Sequence, residues 1–260
     1  MDYKFKKENY DFWMSRINSD MPEKVCSNDI ALDKLESLQI LDKLNNNSKI
    51  LEIGCGNGLL YDQIRKEYQV SKYVGTDFVK DLIDICNKKK NPKDNFLQLD
   101  MTEVKDSDFD DEYDFIISKR AIQNVIDTNL QLEVIDNFGK FLSSNGQMIL
   151  VESSSEAQDN INELRTKYNL DKILPPFHNL FFKDEEIKNY KFNNVKLVEI
   201  IPFASDFFYI TRLIYAIYAK DFLNEAPKYS HPMQDIALSL TSNSLTKKLS
   251  QIQTYIFKKI

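Results

Sequence analysis

The chain of 260 residues carries 34 basic and 40 acidic side chains, a formal net charge of −6, with 42% hydrophobic and 12% aromatic content. That much apolar material can bury a sizeable core, while a mildly acidic balance without a clustered basic excess argues against a nucleic-acid footprint. Cys26, Cys55 and Cys86 lie far apart without C-x-x-C spacing, so the sequence indicates neither a zinc site nor a disulfide framework.

Residues 1–28 combine Tyr3, Phe5, Tyr10, Phe12 and Trp13 with Arg16 and show no clear period, which reads as an arm that folds onto something else. The amino terminus lacks the continuous apolar core of a signal peptide, so export is not expected and a cytoplasmic location suits the cysteines. Leu35, Leu38, Ile40, Leu41 and Leu44 follow helical spacing, closed by the polar run at 45–48. The apolar run at 49–53 then reads as a buried strand that stops at Gly54, Gly56 and Gly58, three of only six glycines in the chain. Such clustering predicts a sharp turn that admits a ligand before a helix marked by Leu59, Leu60 and Ile64.

The glycine spacing is G-x-G-x-G, one residue shorter than the dinucleotide fingerprint. Glu52, two residues before Gly54, would repel a pyrophosphate and attract a cation. The expected ligand is therefore an adenosine carrying positive charge. Residues 72–77 read as a second strand ending on Asp77, 19 residues after Gly58, the distance at which a carboxylate can accept both ribose hydroxyls. Phe78 lines the adenine face on this reading, or is a core phenylalanine. Leu82, Ile83, Ile85 and Cys86 mark the next helix, and 96–101 a third strand near Asp100, which either faces the same crevice or caps a helical turn at Thr102 and Glu103. Residues 113–118 read as strand four and 147–152 as strand five, with Asn145 and Gly146 as the turn before it. Residues 195–201 and 254–259 give strands six and seven, and 207–223 reads as a buried or cap helix too short in apolar residues, against roughly 20, to span a bilayer.

The stretch Glu52-Ile53-Gly54-Cys55-Gly56-Asn57-Gly58, with Asp77 and Asp100 behind it, resembles motif I and the following strand ends of the class I S-adenosylmethionine-dependent methyltransferases. The resemblance implies a Rossmann-like α/β fold: seven mostly parallel strands with helices on both faces, the last strand antiparallel, and a helical cap. It implies S-adenosyl-L-methionine as cofactor, S-adenosyl-L-homocysteine as product, and no metal. One domain is expected over 1–260: arm and helix 1–48, cofactor core 49–152, cap insertions 153–193 and 202–250, and a final strand 251–260. Cofactor contacts are expected from Glu52, Gly54, Cys55, Gly56, Gly58, Asp77, Phe78, Asp100, Met101 and Ser118. From the arm, Trp13 and Arg16 either close over the cofactor, with the guanidinium on the methionine carboxylate, or only pack and face solvent.

The acceptor side falls on strand four and the insertions. Arg120, Gln123 and Asn124, with Arg165, Asn179, Arg212 and Tyr215, suit an oxygen-rich or anionic small molecule, although Arg120 can equally pair with surface acids and Tyr215 pack in the cap. His178 is either the base that takes a proton from an attacking hydroxyl or a hydrogen-bonded structural histidine. The insertions also look like a subgroup found among bacterial surface-polysaccharide (capsule) gene products. The expected activity is methyl transfer to an oxygen of a small polar acceptor, with no nucleic-acid partner and no membrane span. A nicotinamide-dependent oxidoreductase and an inactive methyltransferase-like binder are the rival readings.

Overall fold

The computed structural model describes residues 3–17, 25–240 and 249–260; parts of the predicted arm (18–24) and of the second insertion (241–248) lie outside them. In chain order the elements are α1 (Tyr3–Ile17), α2 (Ile30–Leu41), β1 (Lys49–Ile53), α3 (Leu59–Glu67), β2 (Lys72–Asp77), α4 (Lys80–Lys89), β3 (Asn95–Gln98), β4 (Tyr113–Lys119), α5 (Thr128–Gly139), β5 (Leu142–Ser153), α6 (Ser155–Lys167), α7 (Asp184–Asn189) and β6 (Val195–Pro202). A helical run follows in which α8 (Ser205–Phe208) and α9 (Tyr215–Tyr218) alternate with π turns at Tyr209–Ile214 and Ala219–Leu223; α10 (Met233–Leu240) and β7 (Ile252–Lys259) close the fold. Among the described residues no helix is long and apolar enough to cross a membrane.

The seven strands form one sheet in the order β3-β2-β1-β4-β5-β7-β6, parallel except for β7, which runs antiparallel to both neighbours. This is the predicted Rossmann-like arrangement. Alternation along β1 explains how one strand serves two cores. Ile50 joins the cluster with Ile40, Ile64 and Tyr73, while Leu51 and Ile53 join the opposite one with Ile116, Ile135 and Phe138. The strand order reverses between β1 and β4, and ligands of open α/β sheets bind at the carboxyl ends flanking such a switch point.

Three local expectations change. The arm is not irregular: residues 3–17 are helical, and Tyr10, Trp13, Met14 and Ile17 pack with Val79 and Leu82, so its period was hidden because its apolar face meets α4 and not the main core. Strand three ends at Gln98, and Asp100 opens a 3-10 turn over Met101–Glu103. Asn145 and Gly146 lie inside β5, where the pairing with β4 shifts register between Tyr113 and Phe115. A Cβ at Gly146 would sit 2.9 Å from the Tyr113 carbonyl oxygen, so the glycine serves a bulge.

Asp184 fastens the first insertion to the last strand: its carboxylate accepts from Tyr255 Oη at 2.6 Å and from Gln253 Nε2 at 2.7 Å, all three residues being buried. Asp184→Ala leaves two buried donors without acceptors, at about 1–3 kcal/mol each. The urea midpoint is expected to fall accordingly, with Asp184→Asn intermediate; an unchanged midpoint would show that the donors find other partners.

Candidate cofactor and acceptor site

A cavity of about 510 Å³ opens above the carboxyl ends of β1, β2 and β4, within the range of about 300–1,000 Å³ typical of cofactor and small-molecule sites. Gly54, Gly56 and Gly58 all have positive φ, at 72°, 54° and 77°. A Cβ at Gly54 would lie 2.1 Å from Ala121 Cβ, and one at Gly56 would lie 2.5 Å from Cys26 Sγ. The glycines are thus required first by left-handed backbone and by neighbouring protein atoms, which press the turn against the tip of β4. Gly54 and Gly56 line the cavity.

Asp77 ends β2 on the cavity wall. Its Oδ2 accepts from Gly56 N and its Oδ1 from Val79 N, both at 2.9 Å, so one carboxylate fixes the glycine turn and the start of the next helix. Burial pushes it up to about 6 against the stabilising N–H groups. Asp100 also lines the cavity, with Oδ1 accepting from Thr102 N and Oγ1 and Oδ2 paired with Lys6 at 2.6 Å. Both sequence readings of Asp100 therefore coexist. Burial works against its charge, yet the hydrogen bonds from Lys6 and Thr102 outweigh it and hold the carboxyl below its ordinary range. Phe78, Met101, Trp13 and Arg16 border the same space. Arg16 donates from Nε to Val25 O at 2.6 Å and from Nη2 to Asn28 Oδ1 at 3.0 Å.

Of the residues expected on the acceptor side, Arg120, Gln123, Asn124, Arg165, His178, Asn179 and Arg212 all line the cavity wall. Its cations are mostly paired. Asp29, Asp33 and Glu36, on one face of α2 and its cap, meet Arg212 at 2.5 Å, Lys119 at 2.7 Å and Arg120 at 3.1 Å. Gln123 Oε1 accepts from Ser153 N at 3.2 Å, and Asn124 Nδ2 donates to the carbonyls of Arg120 and Ala121. The His178 ring stacks on Phe12 at 4.2 Å and meets Trp13 and Phe177 edge-on, and its Nδ1 is buried without a hydrogen-bond partner. Burial first, then the charges of Arg16 and Arg120, pull its pKa down to about 4.

Five expected contacts do not line the cavity. Glu52 points to the Ile50 side of the sheet and accepts the Tyr73 hydroxyl, and burial raises it to about 7. Ser118 is fully buried and donates to Glu152 at 3.0 Å. Tyr215 is fully buried, stacked on His231, with its hydroxyl accepting from Lys228 N at 2.9 Å. Cys55 and Gly58 lie behind the turn, where Cys86 Sγ donates to Gly56 O at 3.4 Å. Cys86 thus joins Cys55 behind the turn while Cys26 meets Gly56 from the cavity wall, although nothing in their spacing announced it. Sequence reasoning also missed Glu152, whose carboxylate accepts from the N–H groups of Ala121, Ile122 and Gln123 and so shapes the loop after β4. Its signal was an acid at the end of a buried strand. The α2 acids left a signal too, the helical spacing of Asp29, Asp33 and Glu36.

S-adenosyl-L-methionine fits these residues: a glycine turn and two strand-end carboxylates face apolar Phe78, Leu82 and Met101, and the orphaned His178 Nδ1 marks polar capacity that the chain itself does not fill. Comparison with known proteins agrees. The family described as "Methyltransferase domain" matches residues 19–193. The malonyl-[acyl-carrier protein] O-methyltransferase of Bacillus anthracis is 26% identical over 139 residues, 54% of this chain and 49% of that protein. The chain spans about half the length of the curated relatives it matches. Phosphoethanolamine N-methyltransferase 1 of Haemonchus contortus, in complex with phosphoethanolamine and S-adenosylhomocysteine, has a TM-score of 0.62 at 15% identity over 100% of this chain and 50% of that one. The N-methyltransferase NodS of Bradyrhizobium japonicum, with S-adenosyl-L-homocysteine, has a TM-score of 0.54 at 15% identity over 74% and 89%. At such identities the likeness is one of fold.

The buried Glu52 carboxyl generates a pH prediction. Folded Glu52 keeps its proton to about 7 against an ordinary 4.5, so its contribution is fully present below about 4.5 and is lost as pH rises through 7. Wild-type stability should therefore fall across this window by an amount on the order of 3 kcal/mol from this group. Glu52→Gln keeps an acceptor for Tyr73 and should flatten the slope. Chemical unfolding at pH 5, 6 and 8 checks this; parallel slopes for both proteins would refute it.

Proposed function

This chain belongs to the methyltransferase-domain family, and from that premise we propose that it transfers a methyl group from S-adenosyl-L-methionine to an oxygen of a small polar or anionic acceptor. The observation that carries the reading is Asp77, a carboxylate at the end of β2 that borders the cavity while holding the Gly56 N–H. A carboxylate has about four acceptor positions, so its two backbone partners leave capacity for the ribose hydroxyls. Gly54 and Gly56 would admit the cofactor along the turn, Phe78 and Met101 would border the adenine, and Asp100 would accept from its amino group. Trp13 and Arg16 would close the other end, where the Arg16 guanidinium could hold the methionine carboxylate. The cofactor supplies the electrophilic methyl, and the chain supplies alignment, which alone is worth several orders of magnitude in rate.

Oxygen as the acceptor atom is supported by the O-methyltransferase relatives. The narrower reading, a sugar- or phosphate-bearing capsule precursor, would draw on Lys119, Arg120 and Arg212, whose charges face Asp33, Glu36 and Asp29. His178 borders the acceptor space. A general base works best with a pKa near the working pH, and one held down to about 4 is weak. His178 is therefore a positioning residue that packs the Phe12 end of α1 over the acceptor.

Two outcomes test this. Ionised Asp77 is the better acceptor, so affinity for S-adenosyl-L-homocysteine should weaken as pH falls through about 6; Asp77→Asn should bind at least about tenfold more weakly and lose that pH dependence. Calorimetry reads both, and normal affinity in Asp77→Asn would place the cofactor elsewhere. His178→Phe should retain most methyl transfer where His178→Ala loses it; equal loss in both would restore a proton-transfer role.

A further inference from the structure

The charges of the acceptor side do not all cancel within the protein. Lys119, Arg120 and Arg212 each face a carboxylate of α2 or its cap. Arg165 does not. Its Nε donates to the Asp171 carbonyl at 2.7 Å and its Nη1 to the Arg212 carbonyl, and no carboxylate pairs with it among the described residues. Burial and the neighbouring Arg212 charge both work against its protonated state, with weaker relief from the Asp171 side chain. A guanidinium stays charged in a protein, and one so placed is costly until an anion meets it. The two carbonyls hold the Nε and Nη1 side of a guanidinium that borders the cavity.

The size of this imbalance is informative. One uncompensated guanidinium matches a monoanion, whereas a phosphate monoester dianion would bring a second charge that the paired cations have already answered. The weakness of His178 as a base points the same way, since an acceptor that arrives ionised needs none. The path outward is apolar: Ile173, Leu174, Pro176 and Tyr229 border the cavity, and Leu174 and Tyr229 are 74% and 53% exposed at its mouth.

We propose that the acceptor is a carboxylic acid with an apolar tail, taken as its anion, with Arg165 reading the carboxylate and the tail leaving between Leu174 and Tyr229. This rests on the methyltransferase reading above. A carboxylate oxygen lone pair forms the new bond to the methyl carbon while the carbon–sulfur bond breaks and its electron pair stays on sulfur. The products are a methyl ester and S-adenosyl-L-homocysteine, the two opposite charges vanish together, and no proton moves. Arg165 is a specificity residue here: its guanidinium, held in place by two carbonyls, donates charge-assisted hydrogen bonds to a carboxylate, which a neutral amide matches only in part.

The test is calorimetric titration of the full chain, saturated with S-adenosyl-L-homocysteine, with hexanoate, hexanamide and hexyl phosphate. Hexanoate is expected to bind at least about tenfold tighter than hexanamide, with hexyl phosphate no tighter than hexanoate. Arg165→Met should lower hexanoate affinity about tenfold or more and leave the affinities for hexanamide and S-adenosyl-L-homocysteine unchanged. Equal binding of hexanoate and hexanamide, tighter binding of hexyl phosphate, or full hexanoate affinity in Arg165→Met would overturn the proposal. The wild-type comparison stands even if the variant unfolds. A protein that binds S-adenosyl-L-homocysteine but not hexanoate overturns this proposal alone, whereas one that binds neither overturns the methyltransferase reading with it.

Discussion

Three part-buried ion pairs from one helix and its cap hold the walls of the cavity in place. Asp29, Asp33 and Glu36 recur at helical spacing, and each reaches a cation from a different part of the chain: Arg212 in the second insertion, Lys119 at the end of β4 and Arg120 just beyond it. Exposed pairs contribute about 0–1 kcal/mol and breaking a fully buried one costs about 3–5 kcal/mol because a charge is left without a partner; these pairs, with buried acids and partly exposed cations, lie between. The pairs therefore act less as glue than as constraints on position. Asp29 shows the economy of this arrangement, since its Oδ1 caps α2 through Leu32 N while its Oδ2 receives Arg212.

The same pairs set the electrostatics of the site. By facing Lys119, Arg120 and Arg212, the α2 acids offset much of the positive charge that the bare sequence advertises on this wall, Glu36 only in part because burial raises it to about 7. Arg165 differs from these three: among the described residues it is tied to carbonyls instead of carboxylates. On the cofactor side, Asp77 is held by N–H groups that carry no formal charge, whereas Asp100 is met by Lys6. A cationic adenosine and an anionic acceptor would thus each meet the charge left over on their own side.

The fold was legible because the alternation of apolar strands with helical stripes survives in the sequence. Two glycines and Asp77 were legible for a similar reason, since the turn and the strand end that frame the crevice are local features with fixed spacing. Glu52 was misread on a point of register. A strand residue two before the turn shares a face with Ile50, and that face meets α2 and α3 instead of the crevice, so its carboxyl ended beneath Tyr73. Arg120, Arg212 and Tyr215 were found as residues but not as partners, because their acids, carbonyls and rings come from segments far away in sequence. The convergence of Cys26, Cys55 and Cys86 around the glycine turn and the anchoring role of Glu152 were hidden for the same reason.

Glu152 shows how a residue without access to the cavity still shapes it. Its carboxylate gathers three successive N–H groups after β4 together with the Ser118 hydroxyl. Burial raises its pKa to about 7 against those same bonds, so they hold it close to the point where it gains or loses its charge. The loop it fastens begins at Arg120, whose φ of 53° is unusual for a residue with a side chain. That left-handed turn places Ala121 against Gly54 and sends the Arg120 guanidinium toward Glu36. A single buried carboxyl thus links the closeness of the glycine turn to the charge balance of the acceptor wall, which makes the two halves of the cavity one mechanical unit.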